Sequence, residues 1–412
     1  MTKKEVLAEL GRRRKELASL CSKLIRIPSE NPPGDTTKLA AFVRSYLRAK
    51  GFKTKTYEPK KGRPNVVAST GEGRPNLVLS GHMDEFPAGE GWTFPPFSGA
   101  VRNGRILGRG AGDMKAGLAV SLMAAALIKE MGIKLRGSLT LALVSDEETG
   151  GVWGTQWLLK NVGAVRGDAC LIGESSGTWA VGVGEKGVLW LRVRSSGVSG
   201  HAAYGQGESA IEKVLKVLEV ISRLHGRRIR PRREIETLIR QQRLAVEKHW
   251  GPGTGTMADK ITVNVGTLRG GGQVNLIPRS CEAEVDIRVP PGMTTSTVER
   301  EVRQRVERLR LKGVQVETLN RCDSYVTPAK EKLITILRAN SLRVCGSEAL
   351  MVLRLGYTDG RFFRRAGIPT AIYGPTVHNM GGPDEWVEEE ELLRVARVHL
   401  GIIVDYLGGR TT

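Results

Sequence analysis

The chain has 412 residues, long for a single hydrophobic core, so two domains are expected. Its formal net charge is +20, yet aromatic residues make up only 5% and no nucleic-acid motif accompanies the basic residues, so nucleic-acid binding is not expected. Five scattered cysteines without a CxxC pair read as reduced thiols. With no apolar leader in residues 1–17, and an apolar stretch, Ala116 to Ile128, too short to span a bilayer, a cytoplasmic protein away from membranes is expected.

From Glu5 to Arg26, Val6, Leu7, Leu10, Leu17, Leu20, Cys21 and Leu24 recur at helical spacing. The spacing predicts one helix, stopped by Ile27-Pro28-Ser29. Pro32-Pro33-Gly34 makes a loop, and a second amphipathic helix follows over 39–50, closed by Gly51. Strands are predicted over 65–69 and 76–80, the latter running into Gly81-His82-Met83-Asp84. A glycine-rich stretch, Gly108 to Lys115, opens a helix over 115–131 that is rich in Ala and Leu and expected to be buried. The apolar run 139–145 leads into Asp146-Glu147-Glu148. Two more short apolar strands end at Glu174 and His378.

Between 187 and 321 the pattern changes. Strands are predicted over 187–196, 261–268, 282–289 and 314–319, with helices over 208–224 and 297–311. A basic, poorly patterned segment follows the first of these helices to about Lys260, and its densest cluster, Arg227 to Arg233, reads as solvated surface. Residues 187–321 hold 24 Lys and Arg against 14 Asp and Glu, half of the chain's net charge. A helix over 329–344 returns to the earlier style. The expected organisation is a small α+β domain, 187–321, inserted into a larger α/β domain made of 1–186 and 322–412.

Asp146-Glu147-Glu148 is the stretch on which a chemical reading turns. A strand end delivers its next residues to the sheet edge, where open α/β sheets bind ligands. One carboxylate can hold a cation there while its neighbour reaches a water on that cation. On its own the stretch reads as a solvated acidic turn, and four other sequences change that reading. His82 stands just beyond an apolar strand, well placed to bind metal, and Asp84 can accept the imidazole's other N–H. A structural hydrogen-bonded pair would have the same sequence. Gly108 to Lys115 fits neither a phosphate-binding loop nor a dinucleotide fingerprint. Its glycines put Asp113 at the mouth of a helix, where an N-cap is the plainer alternative. Glu174 and His378 follow the remaining strands. His82, Asp113, Glu148, Glu174 and His378 together suit a pair of zinc-like ions, with one carboxylate bridging and Glu147 to spare. His225, His249 and His399 carry no such signal and read as surface or packing residues.

With those residues in hand, the chain resembles the M20 family of dinuclear zinc amidohydrolases, in its acetylornithine deacetylase and succinyl-diaminopimelate desuccinylase branch. The resemblance rests on Ile27-Pro28-Ser29, Ser80 to Asp84, Gly108 to Lys115, Asp146 to Gly151 and Ile172-Gly173-Glu174. It continues through Gly200-His201-Ala202, Asn275 to Pro278, Asp286-Ile287-Arg288, Thr358 to Phe362 and Pro383-Asp384-Glu385. It implies a zinc-peptidase-like α/β catalytic domain with a mixed central sheet flanked by helices, plus an α+β lid and dimerisation domain. Two divalent metal ions are implied, zinc first, with cobalt or manganese accepted by the same ligands. His82, Asp113 and Glu174 would hold one ion, and Asp113, Glu148 and His378 the other. Glu147 would be general base, Asp84 would orient His82, and His201 would reach a partner subunit's site in a homodimer and stabilise the oxyanion. Asn275, Arg288, Thr358 and Arg361 would contact substrate, an N-acyl amino acid or a dipeptide. The implied reaction is hydrolysis of an N-acyl amino acid's amide bond, with a carboxypeptidase or dipeptidase as the alternative. Two departures stand out. The segment after His201 lacks the family's usual Pro and Asn, and two extra residues separate His378 from Pro383-Asp384-Glu385.

Overall fold

In the computed structural model, which describes residues 2–408, the chain forms two compact units. The first comprises Met1–Val183, Thr327–Met351 and Thr358–Thr412, and the second Gly184–Val326 and Val352–Tyr357. The short segment Val352–Tyr357 thus groups with the second unit, outside the expected 187–321.

An eight-stranded mixed sheet, ordered β1-β2-β6-β3-β7-β14-β8-β13, organises the first unit. Its strands are β1 (Lys53–Tyr57), β2 (Asn65–Glu72), β3 (Asn76–His82), β6 (Gly137–Val144), β7 (Ala169–Ile172), β8 (Ala180–Glu185), β13 (Leu350–Arg354) and β14 (Thr370–Ile372). The four adjacent strands β6, β3, β7 and β14 run parallel. All four carboxyl ends therefore open on one edge of the sheet. Strands covered on both faces read as near-continuous apolar runs, and every residue of β3 and β7 is buried. On one face Val78, Ala142, Val144, Cys170 and Ile172 pack with Leu158 of α5 (Thr155–Asn161) and Phe362 and Phe363 of α10 (Gly360–Arg365). Helices α4 (Ala116–Glu130) and α11 (Glu389–Leu407) both pack on β3. A small sheet, β15-β5-β4, joins Trp386–Glu388, Arg105–Leu107 and Ala100–Arg102.

Local differences from expectation have simple causes. The first helix is two, α1 (Lys3–Arg12) and α2 (Arg14–Ile25), broken at Arg13, which leaves helical geometry at φ −92°, ψ 19°. Apolar spacing continues across the break because both halves face the same core. The apolar run Ala111–Glu130 has 20 residues, longer than its composition alone suggests, and by length it could cross a membrane. It is 94% buried inside the protein, as befits a core helix.

The second unit holds an antiparallel sheet ordered β10-β11-β9-β12, from Thr262–Gly270, Ser280–Val289, Gly187–Ser196 and Val314–Cys322. One face packs on α6 (Ala210–Ser222) and α8 (Thr295–Glu307), with Leu189, Leu191, Val193, Val285 and Ile287 meeting Val214, Val217, Val298 and Val302. The poorly patterned basic segment contains an 18-residue helix, α7 (Arg233–Trp250). Its buried side is narrow: Leu238, Ile239, Gln242 and Val246. Gln242 donates to the Leu353 carbonyl at 3.2 Å and accepts from the Leu353 N–H at 2.6 Å, acting as a strand partner would. The helix is amphipathic, with Leu238, Ile239, Gln242 and Val246 on its buried side, but apolar residues are sparse among its many charges and one buried position is an amide, which is why the pattern is easy to miss.

Candidate metal centre

The parallel strands deliver His82 at the end of β3, Asp146-Glu147-Glu148 two residues past β6, Glu174 past β7, and His378 after β14. Close backbone packing fixes one of these ends. A methyl group at Gly117 of α4 would collide with the Gly173 carbonyl, so the helix can approach β7 just before Glu174 only because both residues are glycine.

His82 is buried and faces two aspartates. Its Nε2 lies 3.0 Å from Asp113 Oδ1, and its Nδ1 lies 2.9 Å from the Asp84 backbone carbonyl. The Asp84 carboxylate is farther from the ring, at 3.5 Å. It is turned instead to the acidic stretch: Oδ1 accepts the Glu147 N–H at 3.2 Å and Oδ2 the Glu148 N–H at 3.1 Å. Asp84 thus ties the end of β3 to the turn after β6, and its main-chain carbonyl, more than its carboxylate, meets the imidazole. Burial alone would raise the Asp84 carboxyl, but His82, Asn31 and the Glu148 amide outweigh it and hold the group below the usual carboxylate range.

Asn31 extends this bracing. Its amide donates to Asp84 Oδ2 at 2.8 Å and to Thr149 Oγ1 at 2.9 Å. Ser29 donates from its hydroxyl to the Met83 carbonyl at 2.6 Å and from its N–H to Glu85 at 2.8 Å. Glu85 pairs with Lys115 at 2.5 Å, both fully buried, and Lys115 also donates to the Ile27 carbonyl. The Ile27-Pro28-Ser29 stop is therefore a support for the strand end that carries His82.

Asp113 sits in a turn of π-helix, Ala111–Lys115, with an extended φ of −126° rather than a helical one. It is not an N-cap: no side-chain cap bond forms at either helix start nearby. Glu385 holds the turn from outside, accepting the Gly112 N–H at 2.8 Å and the Arg109 guanidinium at 2.6 Å. Burial pushes Glu385 up to about 7, although the Gly112 amide and Arg109 pull the other way. The glycine-rich motif and Pro383-Asp384-Glu385 are thus joined across 273 residues of sequence. The two inserted residues before Pro383 sit in a loop closed by Asn379, whose amide donates to the Asp384 carbonyl at 3.2 Å.

One ligand atom each from His82, Asp113 and Glu148 lie within 4.8 Å of one another, a spacing that fits a metal ion. The electrostatics fit as well. Burial first, then the Asp113 charge, pushes Glu148 up to about 11. Burial first, then Glu174, raises Glu147 well above its usual value. Glu147 Oε1 and Glu148 Oε1 are buried acceptors with no donor on them among the described residues. A cation is the partner such crowded carboxylates want. Glu174 is buried within electrostatic reach of Glu147, and His378 stacks on Trp386 at 3.7 Å, but neither belongs to the close group of three.

Thr358 and Arg361 are buried beside the same edge rather than open to it. Arg361 donates to the Gly150 carbonyl at 2.8 Å and so grips the turn that carries Glu147 and Glu148. Thr358 Oγ1 accepts from the Gly360 N–H at 3.0 Å. His201, Asn275 and Arg288 lie in the second unit. His201 is exposed, and its Nδ1 accepts the Ala203 N–H at 3.2 Å, which leaves the ring proton on Nε2. The Ala202 N–H donates to the Asn275 carbonyl at 2.9 Å, joining the two loops. Arg288 pairs with Asp286 at 2.9 Å and lies over the Tyr357 ring.

Residues 78–405 match the family described as Peptidase family M20/M25/M40. The chain belongs to that family. It is accordingly a metallohydrolase, and the resemblance read from its motifs holds over most of its length. The M20 chain is 29% identical to a succinyl-diaminopimelate desuccinylase of Gluconacetobacter diazotrophicus, covering 95% of this chain and 97% of that one. It is 27% identical to an N-formyl-4-amino-5-aminomethyl-2-methylpyrimidine deformylase of Bacillus subtilis, covering 95% of each. In fold it is similar to an M20 family metallo-carboxypeptidase of Sulfolobus solfataricus, with a TM-score of 0.83 at 19% identity over 95% of this chain and 99% of that one.

Proposed function

We propose that this M20 hydrolase removes the acyl group of an N-acyl amino acid, at a centre of two divalent metal ions, zinc first. The observation that carries the reading is the convergence of His82, Asp113 and Glu148 within 4.8 Å beside the buried Glu147. Asp113 would be shared, with His82 and Glu174 completing one set of ligands and Glu148 and His378 the other. Ions held there would polarise the scissile carbonyl and activate a water.

The chain's own groups supply the rest. Glu147 takes a proton from the attacking water and returns it to the leaving amine. Asp84 and Arg361 hold the Glu147–Glu148 turn still, from the amide side and the carbonyl side respectively. His201, contributed by a partner copy in a homodimer, would aim its Nε2–H at the developing oxyanion, and the Nδ1 bond to Ala203 supports that tautomer. Arg288 and Asn275 would meet the substrate's carboxylate end. A carboxypeptidase or dipeptidase is the second reading, because the same chemistry serves a peptide bond and fold neighbours include the Saccharomyces cerevisiae dipeptidase Dug1p.

The test is free-amine release from a panel of N-acetyl, N-succinyl and N-formyl amines and simple dipeptides, with added zinc or cobalt and with a chelator. Chelator-sensitive release from N-acyl amino acids is expected. Release from dipeptides alone would transfer the protein to the second reading. The cytoplasmic location and the homodimer belong to the same proposal, and sizing of the purified protein checks the latter.

A further inference from the structure

The second unit contains a cavity of about 660 Å³ that shares no residue with the metal centre. Its wall is one face of α7 together with the chain before and after it. Arg233, Arg240 and Arg243 recur at steps of seven and three along the helix, so their side chains stand on one stripe. Arg228 and Arg230 come from the approach to the helix, and Lys260 from the return. Only Glu236 and Asp259 oppose these six basic groups on the wall, and Asp259 is already engaged by Arg228.

Arg230, Arg233, Arg240 and Arg243 are exposed and make no side-chain ion pair among the described residues. Arg232, Arg269, Arg279, Arg300, Arg308 and Arg310 of the unit are likewise without an ion pair among the described residues, so the cavity is distinguished by the convergence of its arginines on one concave wall. Arg192, Arg194, Arg227, Arg303 and Arg305 all reach glutamates. Like charges converging on one concavity repel, and a mobile counter-ion only partly relieves them. The volume lies in the range of small-molecule sites. No aromatic side chain lines it, so it offers a nucleobase nothing to stack on.

We propose that this cavity binds a compact polyphosphate, through guanidinium forks on several phosphate groups at once. Arginine matches phosphate oxygens two at a time. Four unpaired forks suit a ligand carrying three or four negative charges in a small volume better than a dicarboxylate. Thr237 on the wall can add a hydroxyl donor to a phosphate oxygen. The concave, short wall favours a small ligand over an extended nucleic-acid backbone.

Sodium tripolyphosphate titrated into the full-length, metal-loaded protein tests the proposal by calorimetry and thermal melting. Saturable binding tighter than ~1 mM is expected, weakening as sodium chloride is raised. ATP and GTP should bind comparably to tripolyphosphate, and inorganic phosphate and citrate more weakly. The double variant R233E/R240E should weaken tripolyphosphate binding at least ~10-fold. Both positions are exposed and unpaired, and an acid in the first turn suits the helix dipole, so the fold should hold. Should it not, R233K/R240K keeps the charge and removes the fork, and it should still weaken tripolyphosphate binding relative to the wild type; unchanged binding in that variant would overturn the proposal. No saturable binding by the wild type would overturn the proposal. So would unchanged binding in a folded charge-reversal variant, equal binding of citrate, or a single-stranded RNA oligomer that outcompetes tripolyphosphate with affinity rising with its length.

Discussion

The metal centre and the basic cavity are both gatherings of like charge, and they differ in what holds them. At the metal centre Glu147 and Glu174 are buried and Asp113 and Glu148 half-buried, Asp84 takes the backbone amides of the acidic turn, and burial with neighbouring charge pushes Glu147 and Glu148 up in pKa. In the cavity the arginines are exposed, on one face of a helix, with water to solvate them. Burial turns a crowd of charges into a demand for a specific partner at a fixed place. Exposure leaves a preference that salt can screen. Changes to single charges should therefore matter greatly in the first region and little in the second.

The largest effect is expected from Glu147→Gln. It keeps the shape of the buried side chain and removes its ability to take a proton, so turnover should fall by roughly 10²–10⁴-fold. Metal content measured by mass spectrometry should stay at the wild-type level. Retained turnover would remove Glu147 from the role of base. Glu148→Ala should behave in the opposite way, losing bound metal, because Glu148 is one of the three groups within 4.8 Å.

Glu385→Ala comes next. It strips the partner from Arg109, whose side chain is 1% exposed, and leaves a buried guanidinium facing the Asp113 turn. Breaking a buried pair from one side costs about 3–5 kcal/mol. Chemical denaturation should show a loss of that order, with metal affinity falling too because the Gly112 amide loses its acceptor. A change within experimental error would mean that the turn does not need this clamp.

A buried titratable group outside both charge clusters sharpens the contrast. His399 of α11 is fully buried, and its Nε2–H donates to the Tyr373 carbonyl at 2.6 Å. Burial pushes it down to about 4, against that hydrogen bond's upward pull. Above an unfolded value of about 6.5 the ring is neutral in both states and pH changes nothing. Between about 6.5 and about 4 the unfolded chain takes a proton that the folded chain refuses, so stability falls as pH falls, by up to ~3 kcal/mol. His399→Gln should flatten the decline measured by melting between pH 7 and pH 4.5, relative to the wild type. An equally steep decline would place the acid sensitivity elsewhere.

The parts of this architecture legible in the sequence are those with strong local signals. Apolar runs ending in His82, Glu148, Glu174 and His378 mark the parallel strands, because a strand covered on both faces cannot hide its composition. The supports were not legible. Nothing local links Asn31 to Asp84 and Thr149, or Glu385 to Gly112, across 53, 118 and 273 residues. The pairing of Asp84 with the imidazole is legible from their spacing, but not that its carboxylate, 3.5 Å from the ring, also takes the two amides of the acidic turn, a contact set by the β3–β6 register. Helix α7 escaped for a different reason. Its docking depends on Gln242 and a few apolar residues, so its sequence looks like surface chain until its arginines are seen to share a stripe.

The smallest effect is expected from Arg240→Ala, and it tests the exposed half of the comparison. Arg240 makes no ion pair among the described residues, so the substitution removes no stabilising contact. Alanine is at least as good a helix former as arginine, and one fewer positive charge eases the repulsion along the stripe. Stability should change by no more than about 0.5 kcal/mol, and at low ionic strength the sign should be stabilising. Raising sodium chloride should bring the two proteins together, because screening removes from the wild type the same repulsion that the substitution removes. A loss of several kcal/mol, insensitive to salt, would mean that the arginine is held in the structure as firmly as the carboxylates are. The basic cavity would then be part of the unit's framework, with its charges fixed for packing rather than left free for a ligand.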